Sequence, residues 1–421
     1  MKYNIPQFII KKNLQKTGQT LESFEDILTQ DILSDICRRI TNTDNYQCNF
    51  VDDEYHDDIL PVGTNKGRMI ILKYQEIVHF ITCSEKYVKG SNSSVQSVPT
   101  ALNAFYKYSN KEKKFHYYFL MEDSHNTRSP ISPHILMAYR MMATIGVNFL
   151  NVDYLSNFMA ARSGRQTRGA TQISRIDPFV SIDDVINARN QNSKSNRGNS
   201  PSYLTKNSAG EIEIYLKTYG ASKYDSIFLC YAVSKIIDKS NQVTAYEMIE
   251  GNLKKLPEPS RSIIKEIGVI KIITTNNELE YKAFNQTDKG TNFRSHIYIS
   301  HLLDKFKVKR CALCGCEIPE IIQGAHIWPV AKIKEANYLS NEQRFNHATN
   351  GENGLWLCQN HHGLFDQNII TISHKGDILF SSSLSSENEA FLNSITTYKQ
   401  LPEHIMTDQF IKYLDLRNDT T

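Results

Sequence analysis

The residues of this chain best suited to chemistry lie between Cys311 and Ile372, where CALC, AHIWP, ENGLWLC and QNHHGLFD follow one another. Cys311 and Cys314 form a C-x2-C pair, and Cys358 and His361 form a C-x2-H pair. Two thiolates at that spacing can point at one ion from a tight turn, and Gly315 directly after the first pair suits such a turn. Zinc takes four Cys or His ligands tetrahedrally, with Zn–S about 2.3 Å and Zn–N about 2.0–2.1 Å. A Cys3His set therefore needs no further residue. Of the 8 cysteines, Cys311, Cys314, Cys316 and Cys358 crowd into this stretch, whereas Cys37, Cys48, Cys83 and Cys230 are scattered as ordinary buried cysteines would be. Cys316 offers only the looser C-x4-C spacing and stays outside the set.

Zinc leaves two histidines and an asparagine unused. His326 sits in Gly324-Ala325-His326-Ile327-Trp328-Pro329, an apolar segment that Pro329 stops from continuing as a regular central strand. Asn353-Gly354 is a turn signal leading into the apolar strand Leu355-Trp356-Leu357. His362 follows His361 at the opening of a short helix-like run through Phe365.

At these residues the chain resembles the HNH endonuclease family over about residues 300–380, with both half-knuckles, H-x-x-P, Asn-Gly and the final His in the family's order. The resemblance implies a zinc-stabilised ββα-metal fold and hydrolysis of DNA phosphodiesters by a one-metal mechanism. By that resemblance His326 is the general base; an imidazole near pKa 6.5 suits the task at neutral pH. His362 is a ligand of the catalytic ion, Mg2+ or Mn2+, which stabilises charge on the scissile phosphate and leaving oxygen. Asn353 holds the loop that orients the base. Cys311, Cys314, Cys358 and His361 match the structural Zn2+ set. The chain departs from the family at Ala325, where an Asp or His commonly supplies a further metal ligand. Asp366 is one helical turn after His362 and on the same side, so it is a candidate replacement, with a helix-end contact as the ordinary alternative. Glu352 is a second candidate.

These residues need a scaffold, and 421 residues suffice for two or three domains. A hydrophobic content of 40% and a charged content of 22% describe a globular chain. A net charge of +3 places any nucleic-acid contact on local basic patches rather than on an overall basic body. No apolar run approaches the roughly 18 residues of a membrane span; the best candidate, Ile135 to Leu150, contains Arg140. The start of the chain does not read as a signal peptide, and thiolate zinc fits a reducing cytoplasm.

The expected architecture is α+β: a mixed α/β recognition or regulatory domain over 1–180, a winged-helix-like module over 205–290, and the HNH domain over 295–421. In the first, Leu21 to Ile40 patterns as an amphipathic helix, Met69–Tyr74, Ile77–Thr82 and Phe115–Met121 as strands, and Ile135–Ile145 as a helix. In the second, Glu213–Thr218 reads as a strand, and Ser226–Ile237, Val243–Ile249 and Pro259–Ile267 as helices. Val269–Thr274 and Leu279–Lys282 flank an Asn276-Asn277 hairpin turn. Arg261 and Lys265 would then lie on a DNA-reading helix. Arg162, Arg165 and Arg168, set among Gly164 and Gly169, form a basic loop able to approach a phosphate or a groove; a solvated loop is the plain alternative. Asn187 to Ser202 reads as a linker.

The segment preceding the cutting module exceeds what its stability needs, which points to a device for choosing where to cut. A sequence- or modification-specific type II-like restriction enzyme, acting as a homodimer on double-stranded DNA, is the expectation. The alternatives are a signal-activated, unspecific defence nuclease and a non-catalytic zinc-stabilised DNA-binding protein.

Overall fold

The computed structural model describes residues 2–11, 14–17, 20–23, 28–51, 69–83, 115–121, 133–151, 176–195, 202–217, 222–238, 243–249, 256, 261–262, 264–265, 268–287 and 295–418. Arg162, Arg165 and Arg168 lie outside them. Contacts divide the chain into two units, Met1–Val185 with Tyr224–Ile237, and Ile186–Lys223 with Asp238–Thr421. Among the described residues no helix is long and apolar enough to cross a membrane.

The first unit contains β1 (Tyr3–Lys11), β2 (Leu14–Thr17), β3 (Thr20–Ser23), α1 (Gln30–Thr41), β4 (Gln47–Val51), β5 (Met69–Gln75), β6 (Ile77–Cys83), β7 (Phe115–Met121), α2 (Pro133–Thr144) and β8 (Asn148–Asn151). Helix α3 (Ile182–Ser195) runs across the boundary between the units. Six strands form one mixed sheet in the order β4-β1-β5-β6-β7-β8. Strands β5 and β6 are an antiparallel pair, whereas β6–β7 and β7–β8 are parallel. Phe8, Ile10, Ile70 and Leu72 pack with Ile32, Leu33 and Ile36 of α1, so the apolar stripe expected of this helix is buried as its 3.6-residue period requires. The helix is shorter than Leu21 to Ile40, because Thr20–Ser23 is a strand paired with β2. Asn42 ends it in the left-handed region at φ 59°, a conformation asparagine tolerates at a helix C-terminus. The linker expected from Asn187 is helical as far as Ser195, and Arg189 is buried.

The second unit begins with β9 (Tyr203–Lys206) and β10 (Ile212–Leu216). Helix α4 (Ser222–Ile236), which from Tyr224 onward belongs to the first unit, leads in sequence to β11 (Val243–Ile249) and β12 (Ile270–Asn276) of the second. The sheet order is β12-β11-β10-β9, with β9–β10 antiparallel and β10–β11–β12 parallel. This replaces the winged-helix-like module. Val243–Ile249 is a strand rather than a helix: it pairs in parallel with both β10 and β12, and burial on both faces removes the alternation that marks a half-buried strand. Leu279–Lys282 belongs to α5 (Asn277–Gln286), and Asn276 caps that helix by accepting the Leu279 N–H at 2.9 Å instead of forming a hairpin turn.

The remaining elements are α6 (His296–Phe306), β13 (Ile322–His326), α7 (Val330–Glu335), α8 (Asn341–Thr349), β14 (Gly354–Cys358), α9 (Gln359–Asp366), β15 (Ile370–Ile372), β16 (Ile378–Phe380), α10 (Ser386–Ile395) and α11 (Asp408–Asn418). Strands β13 and β14 pair antiparallel, with His326 opposite Gly354 and Ile322 opposite Cys358, and α9 follows directly. Trp328, Trp356, Phe365 and Phe410 are almost wholly buried and belong to one core with Tyr298 and Leu302 of α6.

Candidate active site and metal centre

The four zinc-type residues come together. One ligand atom from each of Cys311, Cys314, Cys358 and His361 lies within 4.8 Å of the other three. Cys314 Sγ is 3.9 Å from Cys358 Sγ, and His361 Nδ1 is 3.6 Å from Cys311 Sγ and 3.1 Å from Cys358 Sγ. A tetrahedron with bonds of about 2.3 Å has edges of about 3.8 Å, so the set fits zinc. Local folding explains the convergence. Gly315, at φ +71°, lets its own N–H return to the Cys311 carbonyl at 2.9 Å, and the Ala312 N–H bonds the Trp356 carbonyl at 2.8 Å. The first half-knuckle is thereby tied to β14, whose end carries the second. His361 Nε2 meets Thr396 Oγ1 at 3.2 Å, which leaves Nδ1 as the ligand atom. Hydrogen bonding from Cys311, with burial, pushes the Cys358 thiol up to about 11, while the Cys358 partner holds Cys311 below its ordinary value. Sulfurs this close ionise together only around a cation. Cys316 stands outside the group.

His326 ends β13. Its ring stacks on Tyr298 with centroids 3.9 Å apart and planes at 14°, and its Nε2 lies 2.9 Å from the Ala348 carbonyl oxygen. A carbonyl only accepts, so Nε2 carries the hydrogen and Nδ1 keeps a lone pair. Burial pushes the imidazole down to about 4, so the ring is neutral at pH 7. Gly354, opposite His326, makes room for this stack, because a Cβ there would overlap the Tyr298 hydroxyl. That hydroxyl donates to the Ala325 carbonyl at 3.1 Å.

Asn353 is fully buried. Its Oδ1 accepts the Trp328 N–H at 2.7 Å, and its Nδ2 donates to the carbonyls of Trp328 and His347 at 3.1 Å each. One side chain thus joins the loop after His326 to α8, whose Ala348 carbonyl holds the His326 ring. Arg417 ties the same loop to α9, since its Nη1 donates to the Ile327 carbonyl at 2.9 Å and its Nη2 to the Phe365 carbonyl.

His362, on α9, has Nδ1 3.0 Å from Gln323 Oε1 and Nε2 3.4 Å from Asp366 Oδ2. Ala325 is buried in the core. Glu352 is committed elsewhere, bonded to Lys305 at 2.9 Å and to Thr407 at 2.6 Å. Among the described residues, the Cys3His set is the one group of three or more His, Cys, Asp or Glu side chains close enough to hold an ion. Of the residues the motif offered for a catalytic ion, His362 and Asp366 lie side by side on α9. A cavity of about 650 Å³ is lined by Gln323, His326, His362 and Asp366, and also by Glu213 and Tyr215 of the four-stranded sheet.

Motif reading missed Gln323, Tyr298, Thr396 and Arg417. None has distinctive spacing, although strand alternation places Gln323 two residues before Ala325 on the same face of β13. Arg261 departs from its expected DNA-reading place. Its Nη1 pairs with Glu247 Oε2 at 2.8 Å, and Glu247, fully buried on β11, also accepts from the Leu256 N–H and Thr274 Oγ1 at 2.8 Å each. A buried carboxylate must be paired, and Arg261 does that work. Lys265 is exposed.

Residues 311–373 match the family model of the HNH endonuclease, and this segment is an HNH domain. No curated protein matches the chain.

Proposed function

We propose that the chain is a DNA endonuclease that hydrolyses phosphodiester bonds by a one-metal HNH mechanism. The observation that carries this reading is the state of His326. Its Nε2–H is engaged by the Ala348 carbonyl, which leaves the lone pair on Nδ1, and the residue lines a cavity together with His362. A neutral imidazole fixed by one nitrogen takes a proton at the other, which is the task of a general base toward an attacking water. Asn353 and Arg417 keep the loop after the base in place, and Tyr298 holds the plane of the ring. His362 and Asp366 would hold the divalent ion, Mg2+ or Mn2+, which when bound stabilises negative charge on the phosphate and leaving oxygen. The Cys3His set would hold Zn2+ and keep the β14–α9 corner folded.

The size of the preceding segment supports a sequence- or modification-specific enzyme of type II-like restriction character, acting on double-stranded DNA as a homodimer. The test is incubation of plasmid DNA with the purified protein and Mg2+ or Mn2+. Discrete bands support the restriction reading, a smear supports an unspecific nuclease, and intact plasmid with every ion supports a non-catalytic DNA-binding protein. His326→Ala should lower the cleavage rate by about 10²–10⁴-fold; an unchanged rate removes the general-base role.

A further inference from the structure

Both ring nitrogens of His362 face oxygens, Gln323 Oε1 at 3.0 Å from Nδ1 and Asp366 Oδ2 at 3.4 Å from Nε2. Both oxygens are acceptors, whereas a neutral imidazole has one N–H. The contact at Nδ1 has hydrogen-bond length and the one at Nε2 does not, since N–H···O bonds run about 2.7–3.2 Å and charge-assisted ones about 2.7–2.9 Å. A hydrogen bond from Nδ1 to Gln323 leaves Nε2 as the nitrogen whose lone pair can meet a cation beside the Asp366 carboxylate. The spacing suits one: donors about 2.1 Å from a shared ion stand about 3.0 Å apart at octahedral angles and about 3.4 Å apart at tetrahedral ones.

Resting on the metal role given to His362 above, we propose that Gln323 is a positioning residue that locks the His362 tautomer, so that His362 Nε2 and Asp366 Oδ2 form a divalent-cation site despite the missing ligand at Ala325. Gln323 and Ala325 share one face of β13, so the orienting group enters from the strand that lacks the ligand. A metal-bound histidine ordinarily donates its second N–H to such an outer acceptor, which fixes the ring and strengthens the ligand nitrogen. One imidazole and one carboxylate make a mixed N/O pair, which suits Mn2+ better than the all-oxygen preference of Mg2+.

The experiment measures Mn2+ binding to the zinc-loaded, DNA-free full chain by the paramagnetic resonance signal of free Mn2+. Zinc content of each variant reports that the domain is folded. Gln323→Ala should weaken Mn2+ binding about 10- to 100-fold, and Asp366→Asn should weaken it as well. Gln323→Glu keeps an acceptor for the Nδ1–H and should stay close to wild type. Nitrogen-15 spectra of the metal-free wild type should show the hydrogen on Nδ1, and Gln323→Ala should lose that preference. Wild-type Mn2+ affinity in Gln323→Ala overturns the proposal. So does a Gln323→Ala spectrum with the hydrogen held on Nδ1 as in wild type. Because DNA cleavage is not read here, Gln323-dependent Mn2+ binding in a protein that cuts nothing would support this site while removing the nuclease reading.

Discussion

The Asn353 side chain reaches the Trp328 backbone from both sides, with Oδ1 2.7 Å from its nitrogen and Nδ2 3.1 Å from its oxygen. A carboxamide bonded to both groups of one residue fixes the path of the chain there, and Trp328 lies two residues beyond His326. The asparagine is therefore linked to His326 through the backbone, and in the proposed mechanism it is a positioning residue for the base.

Asn353→Ala should accordingly lower both stability and rate. The Trp328 N–H would be left buried without this partner, which costs about 1–3 kcal/mol. Thermal unfolding would register the loss, and turnover of a defined DNA substrate should fall while substrate binding changes little. A variant with unchanged melting and unchanged turnover would contradict the role.

Removing zinc should unfold the C-terminal domain rather than merely inactivate it, because binding free energy at such a site is folding free energy. Chelation, or Cys358→Ala, should abolish bound zinc and open residues 311–373 to limited proteolysis. A protease-resistant domain without metal would show that packing around Trp328 and Trp356 is sufficient.

Arg261 separates a structural role from a DNA-reading one. Arg261→Ala leaves the buried Glu247 without its cationic partner and should cost about 3–5 kcal/mol. The salt dependence of DNA binding should stay as in wild type, since a lost phosphate contact would reduce that slope by about one. Urea unfolding and a salt titration of DNA affinity check the two halves.

The first unit should be acid-labile through His79. The side chain is buried on β6 beside His116, and burial, with the neighbouring imidazole, pushes it down to about 4. The unfolded chain, with a histidine pKa near 6.5, then binds more protons than the folded one between about pH 6.5 and pH 4. Stability is complete above that window and falls as pH is lowered through it, by about 2 kcal/mol at pH 5 for this group alone. Urea midpoints at pH 7.5 and pH 5 measure the fall, and His79→Phe should reduce it. An equal fall in the variant would assign the lability to other groups.

The metal knuckles were legible because their information is local. Two short spacings and Gly315 define the half-sites, and the Ala312 N–H bond to the Trp356 carbonyl ties the first to β14, whose end carries the second. The strands from Met69 to Cys83 were equally plain, being short β-branched and aromatic runs broken by one turn. Where the pattern lost its period, reading failed. Val243–Ile249 carries Thr244 and Glu247 among five apolar residues without strict alternation, and a short run of that kind does not separate a buried strand from a buried helix. Asn276-Asn277 is likewise a turn signal and a helix cap at once.

What the sequence alone determined, then, is the set of chemical groups and their local geometry: four zinc-type ligands, a histidine at a strand end, and a histidine on the helix that follows. Only the tertiary structure decided their states. The lone pair on His326 Nδ1 depends on a carbonyl 22 residues away on α8. The contacts of His362 depend on Gln323, 39 residues earlier on a facing strand. Arg261 became a core ion pair through Glu247 on β11. Spacing along a chain governs what one turn or one strand can present, but protonation, tautomer and pairing are set by whichever groups folding brings within about 3 Å.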